Sequence, residues 1–309
     1  MPVRTIQVQK IRSIGLTVID AEESKDFYTK ALLFKPISDI TVEGQYSDLE
    51  GVTDTKIRIV TLQLGDETIE LMQYLDIKGK PIPKDSQSND LWFQHMAIVV
   101  SDMDAAYTHL QSYPIDRISD KPQTIPQSNQ TAGGVRAFKF KDPNGHDLEL
   151  IWFPPDKGQD KWHSDTEGLF LGIDHSAVTI ANTEQSLQFY QDILGMQVES
   201  SSLNQGETQA RLDGLPEAEV KVTGLRPAQG GLGIELLDYI KPGNGRPIPN
   251  DQKSYDIPHM QVEFVVNDIE KAVDILKQNQ VEFVSSQLVK HQGCLIKDPN
   301  GHAILLIMQ

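Results

Sequence analysis

The sequence predicts an α+β protein built from four copies of one strand-helix-strand-strand-strand module, and three features carry that reading. Asp-Pro-Asn-Gly-His occurs twice, at 142–146 and 298–302, each time between two apolar strand-like runs near the end of its half, and self-similarity at such a separation signals duplicated structure. Four segments, beginning near Ile11, Phe93, Ile173 and Met260, open with an alternating apolar strand and continue with apolar residues at helical spacing. Matched turn-rich loops, GKPIP at 79–83 and GRPIP at 245–249, separate the first module from the second and the third from the fourth.

Taken in order, Ile14, Leu16 and Val18 alternate along the first strand, and Phe27, Ala31 and Phe34 follow at helical spacing. In the third module, Leu187, Tyr190 and Leu194 share a helical face, with Gly195 placed as the residue that ends the helix. Asp-Pro-Asn-Gly reads as a tight turn, because Pro presets φ while Asn and Gly accept unusual backbone angles. On that reading His146 and His302 are turn-adjacent surface residues, and His109, His163 and His291, which have no partnered pattern, are surface or loop histidines. The expected organisation is two domains, 1–155 and 169–309, joined by a polar linker over 156–168.

Composition narrows the function. With 309 residues, 39% hydrophobic and 23% charged, the chain is long enough for two domains of about 150 residues, each with its own core. A formal net charge of −16 would repel nucleic acid and anionic membranes, so neither is an expected partner. No segment approaches the roughly 18 apolar residues that span a bilayer, and the first ten residues lack the apolar stretch of a signal peptide. The single cysteine, Cys294, excludes an internal disulfide and fits a reducing compartment. It lies in a strand-like stretch over 293–297 and reads as a small buried hydrophobe rather than a nucleophile. The expectation is a cytoplasmic protein, monomer or homodimer, whose partner is a small molecule.

The four-fold module, with Asp-Pro-Asn-Gly leading into the last strand of modules two and four, resembles the vicinal oxygen chelate superfamily, which includes glyoxalase I, extradiol ring-cleaving dioxygenases and bleomycin-resistance proteins. The resemblance covers nearly the whole chain and implies two glyoxalase-like domains with strongly curved mixed sheets. Members that use a metal take one ligand from the first strand of a module and one from its last, and two modules close around the ion. Counting seven residues back from Asp20, Asp102, Asn182 and Asp268 gives Ser13, His95, His175 and Gln261 as the first-strand positions. The last-strand positions are Glu70, Glu149, Glu235 and Leu305.

The resemblance leaves the pairing of modules to be decided. Pairing within each half would leave both sites one ligand short: Ser13, Glu70, His95 and Glu149 in one, His175, Glu235, Gln261 and Leu305 in the other. Pairing across the halves, as in fused glyoxalases, gives modules two and three the complete set His95, Glu149, His175 and Glu235. Modules one and four then keep a degenerate set, Ser13, Glu70, Gln261 and Leu305. The second account is the simpler one. Two imidazoles and two carboxylates suit one divalent ion such as Zn, Ni, Co, Mn or Fe, and an ion offsets the cost of burying Glu149 and Glu235 among apolar neighbours. The bland alternative is that these residues bond only to protein groups or water. His259, two residues before Gln261, is a possible substitute ligand.

Three functions follow. The first is glyoxalase-like isomerase or lyase chemistry on a small oxygen-rich molecule, with the metal as Lewis acid and, by resemblance, Glu149 moving the proton with Glu235 as its counterpart. Thr179 and Tyr239 stand where glyoxalase I has an Arg and an Asn, which argues against a glutathione substrate. The second is an Fe(II)-dependent ring-cleaving dioxygenase using His95, His175 and Glu149. Extradiol enzymes place a Tyr where this chain has Lys139, and 128–138 contains no His, so the acid-base helpers are missing. The third is a metal-free binding or sequestering protein whose cleft is lined by Trp92, Phe93, Trp152 and Phe153 and covered by the linker over 157–163, although a polar connector pinned by Trp162 is the simpler reading of that linker.

Overall fold

The computed structural model describes residues 5–164, 168–285 and 293–309; His291 lies outside them. Module one comprises β1 (Lys10–Thr17), α1 (Ala21–Ala31), β2 (Lys35–Val42), α2 (Gln45–Leu49), β3 (Ile57–Leu64) and β4 (Glu67–Tyr74). Module two comprises β5 (Gln94–Val100), α3 (Met103–Leu110), the two-residue strands β6 (Asp116–Arg117) and β7 (Gln123–Thr124), β8 (Arg136–Lys141) and β9 (Asp147–Trp152). Module three runs through β10 (Phe170–Ile180), α4 (Thr183–Leu187), β11 (Gln197–Gln205), α5 (Glu207–Asp213), β12 (Glu219–Arg226) and β13 (Gly233–Lys241). Module four has β14 (Met260–Val266), α6 (Ile269–Gln278), β15 (Gly293–Lys297) and β16 (Ala303–Met308), with an isolated bridge from Phe283 to Ile296.

Each first strand passes into its helix through the same device. Asp20, Asp102, Asn182 and Asp268 have extended backbones, and their side chains accept N–H groups of the first helical turn, satisfying donors that have no partner within the helix. The residues used as counting marks in the sequence are thus helix caps. The position seven residues before each cap falls within the first strand of its module: Ser13 in β1, His95 in β5, His175 in β10 and Gln261 in β14.

The sheets combine the two halves. One sheet has the order β15-β16-β14-β1-β4-β3-β2 and the other β11-β12-β13-β10-β5-β9-β8-β6, with β7 beside β8. Module one is therefore joined to module four by the antiparallel pair β1/β14, and module two to module three by β5/β10. Both central pairs are buried on both faces. Met96, Ile98, Leu148, Leu150, Val178, Ile234 and Leu236 point to one continuous core that also holds Ile14, Leu16, Ile69, Leu71, Val262, Phe264, Ile304 and Leu306 with helix residues such as Tyr28, Ala106, Tyr190 and Leu276. The alternate residues face the opposite side of each sheet. Cys294 is fully buried in the core, and burial pushes its thiol up to about 12.

The repeated pentapeptide ties together the modules that the sheets keep apart. In the first copy Asp142 Oδ1 accepts the backbone N–H groups of Asn144 (2.8 Å) and His146 (2.9 Å), and Gly145 has φ +94°, a conformation available to Gly at little cost. Asn144 then accepts the Ile19 N–H at 3.0 Å and donates to Ser24 Oγ, while the Tyr28 hydroxyl donates to Asp142. The second copy repeats this with Ala181, Ser186 and Tyr190. Module two is thereby clipped to module one, and module four to module three.

The expectation of surface histidines at the turns is corrected. His146 and His302 are 1% and 5% exposed. His146 contacts Asp142 at 3.1 Å through Nδ1 and the Ile257 carbonyl at 2.9 Å through Nε2, and His302 contacts the Thr179 carbonyl at 2.9 Å. Burial works against the charge on His146, but Asp142 outweighs it and raises its pKa. The imidazoles bolt the turn to the entry of another module, a contact no local pattern signals. His146→Ala leaves Asp142 and the Ile257 carbonyl short of a partner, and chemical denaturation is expected to show a loss of about 2–4 kcal/mol.

Candidate metal centre

Register places the four candidate groups of modules two and three. On β10, Ala177 lies opposite His95 of β5 and beside Glu235 of β13. On β5, Ala97 lies opposite His175 and beside Glu149 of β9. Two adjacent rows result, Glu149–Ala97–His175 and His95–Ala177–Glu235, and the small central residues leave the space that the four larger side chains enter. Glu149 Oε2 lies 3.3 Å from His95 Nε2 and 3.8 Å from His175 Nε2, and Glu235 Oε2 lies 3.2 Å from His175 Nε2. Potential ligand atoms of His95, Glu149 and His175 fall within 4.8 Å of one another, the one such group among the described residues.

The donor set fits a divalent ion. His95 Nδ1 and Nε2 and His175 Nε2 are buried with no hydrogen-bond partner, a costly state for a polar nitrogen unless another ligand is supplied. Burial lowers the pKa of His95 despite Glu149, which keeps a lone pair available. For Glu149 burial acts upward, but His95, Lys139 and His175 outweigh it and hold the carboxyl at about 2. Glu149 is thus ionised and nearly sealed, whereas the Glu235 side chain is 28% exposed.

Asp174, which the sequence reading missed, orients His175. Its carboxylate accepts from His175 Nδ1 (3.0 Å), Trp162 Nε1 (3.0 Å), Gln159 Nε2 (2.8 Å) and Arg226 NH2 (2.9 Å). Burial opposes its ionisation, but His175 and Arg226 hold its carboxyl well below the usual range. With Nδ1 occupied, Nε2 is the nitrogen turned toward Glu149 and Glu235. Trp162 and Gln159 belong to the linker segment, which is fastened to the back of the site. An acid immediately before a candidate histidine was the available sequence signal.

In the sheet of modules one and four, the equivalent rows read Leu305–Glu263–Ser13 and Gln261–Gly15–Glu70. Glu263 replaces the small Ala97 and fills the centre. It accepts from Ser13 Oγ at 2.8 Å and from the Arg12 guanidinium through both oxygens. Gln261 donates to Glu50 Oε1 at 3.0 Å and is itself contacted by His259 Nε2 at 3.0 Å; burial lowers His259 to about 4. Leu305 packs with Leu49, Leu295 and Ala303. Three of the four degenerate positions, Ser13, Gln261 and Leu305, are thus engaged by protein contacts.

Two acids at that site rise to about 7. Burial, together with the neighbouring carboxylates Glu70 and Glu263, raises fully buried Glu50 to about 7 against the opposing Gln261 hydrogen bond. Glu70 also rises to about 7, from burial first and then Glu263, against Arg12. The aromatics do not gather in one cleft: Trp92 lines a hollow with Pro81, Pro83 and Pro249, Phe93 packs against His95, and Trp152 and Phe153 lie beside Val99 and Trp162. His109 is half-buried in α3 and His163 is exposed.

A sequence model of the Glyoxalase/Bleomycin resistance protein/Dioxygenase superfamily matches residues 10–150 and 172–306, and the chain belongs to that superfamily. A curated relative, 2-epi-5-epi-valiolone epimerase from Actinomyces sp, is 29% identical over 150 residues, 47% of this chain and 79% of the relative. Glyoxalase I from Zea mays superposes with a TM-score of 0.61 at 15% identity, covering 97% of this chain and 92% of that one. A putative dioxygenase from Bacillus subtilis gives a TM-score of 0.58 at 12% identity, covering 98% and 86%. At these identities the structures establish the shared fold. Among the described residues no helix is long and apolar enough to cross a membrane.

Two predictions follow from this chemistry. Asp174→Asn removes the anionic acceptor behind His175 and should weaken metal affinity by about 10- to 100-fold in competition with a chelating dye, with the fold intact by circular dichroism. Glu50 binds its proton more tightly folded than unfolded, so stability falls as pH rises from the ordinary carboxyl value of 4.5 to about 7. Glu50→Gln, of the same shape but uncharged, should therefore raise the melting temperature at pH 8 and leave it nearly unchanged at pH 4.

Proposed function

We propose that the chain is a divalent-metal-dependent isomerase of glyoxalase type, acting on a small oxygen-rich molecule through one site formed by His95, Glu149, His175 and Glu235. The observation that carries this reading is the meeting of two buried imidazole nitrogens without hydrogen-bond partners, His95 Nε2 and His175 Nε2, with two carboxylates at 3.2–3.8 Å. An ion bound there would act as a Lewis acid toward neighbouring oxygens of the substrate.

The two carboxylates divide the work by their surroundings. Glu149, sealed and strongly ionised, holds charge and is a poor proton acceptor. Glu235, on the open side, takes the proton from the carbon beside the substrate carbonyl and returns it. His175 keeps its orientation because Asp174 grips Nδ1. Removal and return of a proton at carbon is also what an epimerase does, the class of the curated relative. A ring-cleaving dioxygenase would use the same three-group face, but it needs a proton-transferring group where the chain has Lys139, whose ammonium is tied to Asp213.

Elemental analysis of untagged protein tests the site. We expect about one divalent ion per chain, lost in both His95→Ala and His175→Ala, and retention in both variants would sink the assignment. In Glu235→Gln the metal should remain, while deuterium exchange from solvent into 2-hydroxyketone probes falls by about 100-fold or more.

A further inference from the structure

The candidate site carries a buried cation that its degenerate twin lacks. Lys139 is 3% exposed, and its Nζ donates to Asp213 Oδ1 at 2.7 Å; Asp213 is held in turn by Gln209 Nε2 at 2.7 Å. Lys139 pairs with Glu149 in the β8/β9 register, so both side chains leave the same face of the sheet. The ammonium lies 5.6 Å from the centre of the Phe93 ring, which packs edge-on to His95, and its charge acts on both Glu149 and Glu235. In the other sheet, the acid equivalent to Asp213 is Glu50, in Leu49-Glu50-Gly51 against Leu212-Asp213-Gly214. The position equivalent to Lys139, three residues before the turn Asp, is Leu295. The cation is therefore confined to the sheet that also holds the imidazoles.

A salt bridge to Asp213 uses one N–H of a group that has three. Among the described residues no other hydrogen bond of this ammonium is seen, and a lysine whose sole task was to neutralise Asp213 would not need to share a face with the candidate ligands. We propose that Lys139 is the anion-binding residue of the site: its ammonium, steadied by Asp213, hydrogen-bonds the substrate oxygen on which negative charge develops as the proton leaves. This rests on the metal-dependent reading above and deepens it, by requiring that the substrate present to Lys139 an oxygen that is anionic or becomes so as the proton leaves. A fixed cation set in a dry site stabilises such charge without reorganisation, and it selects against ligands whose oxygens stay neutral.

Acetohydroxamate, which presents two adjacent oxygens and is anionic when it chelates, is a suitable probe for calorimetry on zinc-loaded protein. Lys139→Met should bind it about 10- to 100-fold more weakly than wild type, the worth of one charge-assisted hydrogen bond, with zinc content unchanged; Lys139→Arg should stay within a few-fold of wild type. Because Lys139→Met alone strands Asp213, the double variant Lys139→Met/Asp213→Asn removes both charges and should show the same weakening, whereas a purely structural pair would leave it binding as wild type does. Zinc-loaded wild type that ignores the probe, or a double variant that binds it unchanged, overturns the assignment to Lys139 alone. Wild type that takes up no zinc overturns the metal reading and this proposal together.

Discussion

The antiparallel pairing of β5 with β10 is the contact on which the candidate site depends. It sets His95 and His175 on adjacent strands with ring centres 5.8 Å apart, and it puts Ala177 and Ala97 where a larger side chain would close the space between them. The parallel neighbours β9 and β13 then deliver Glu149 and Glu235 to the ends of the same rows. Each strand is buried on both faces, so a slip of one residue would send the imidazoles into the apolar core and Met96 and Ile98 into the site. The register is held by the same burial that makes the site dry.

The other sheet shows how the same architecture is kept once that chemistry is gone. Glu263 stands where Ala97 stands, takes the central space, and brings Arg12 and Ser13 with it. Glu50 and Glu70 have carboxyls raised to about 7 by burial and by neighbouring carboxylates, and the one guanidinium at this site, Arg12, is bonded to Glu263. Leu305 and Leu295 convert two polar positions into core. One half of the pseudo-symmetric molecule thus stores unfavourable charge, while the other arranges it around candidate ligands and a lysine.

Much of this was open to inspection in the chain. The duplicated pentapeptide, the four strand-helix openings and the caps at Asp20, Asp102, Asn182 and Asp268 are local features, and local hydrogen bonding produces them. The ligand positions could be counted from those caps. Lys139 with Asp213 and Glu263 with Arg12 escaped notice because their partners lie 74 and 251 residues away, and no spacing rule relates them. The histidines of the turn motif were placed wrongly for the same reason: a turn is normally exposed, and only the approach of another module, at Ile257 and Thr179, buries them.

By itself the sequence determined the number of modules, the order of their elements and the residue types available at each first and last strand, because alternation, capping and turn formation act over a few residues. The tertiary structure decided which modules share a sheet, and so which of those residues meet. Two chain halves with the same modules could pair internally or across, with similar local hydrogen bonding in either case. The structure has the crossed arrangement, β1 with β14 and β5 with β10, a pairing made between strands far apart in the chain and therefore outside the reach of local patterns, and it gathers His95, Glu149, His175 and Glu235 in one sheet and leaves Ser13, Glu70, Gln261 and Leu305 to the other.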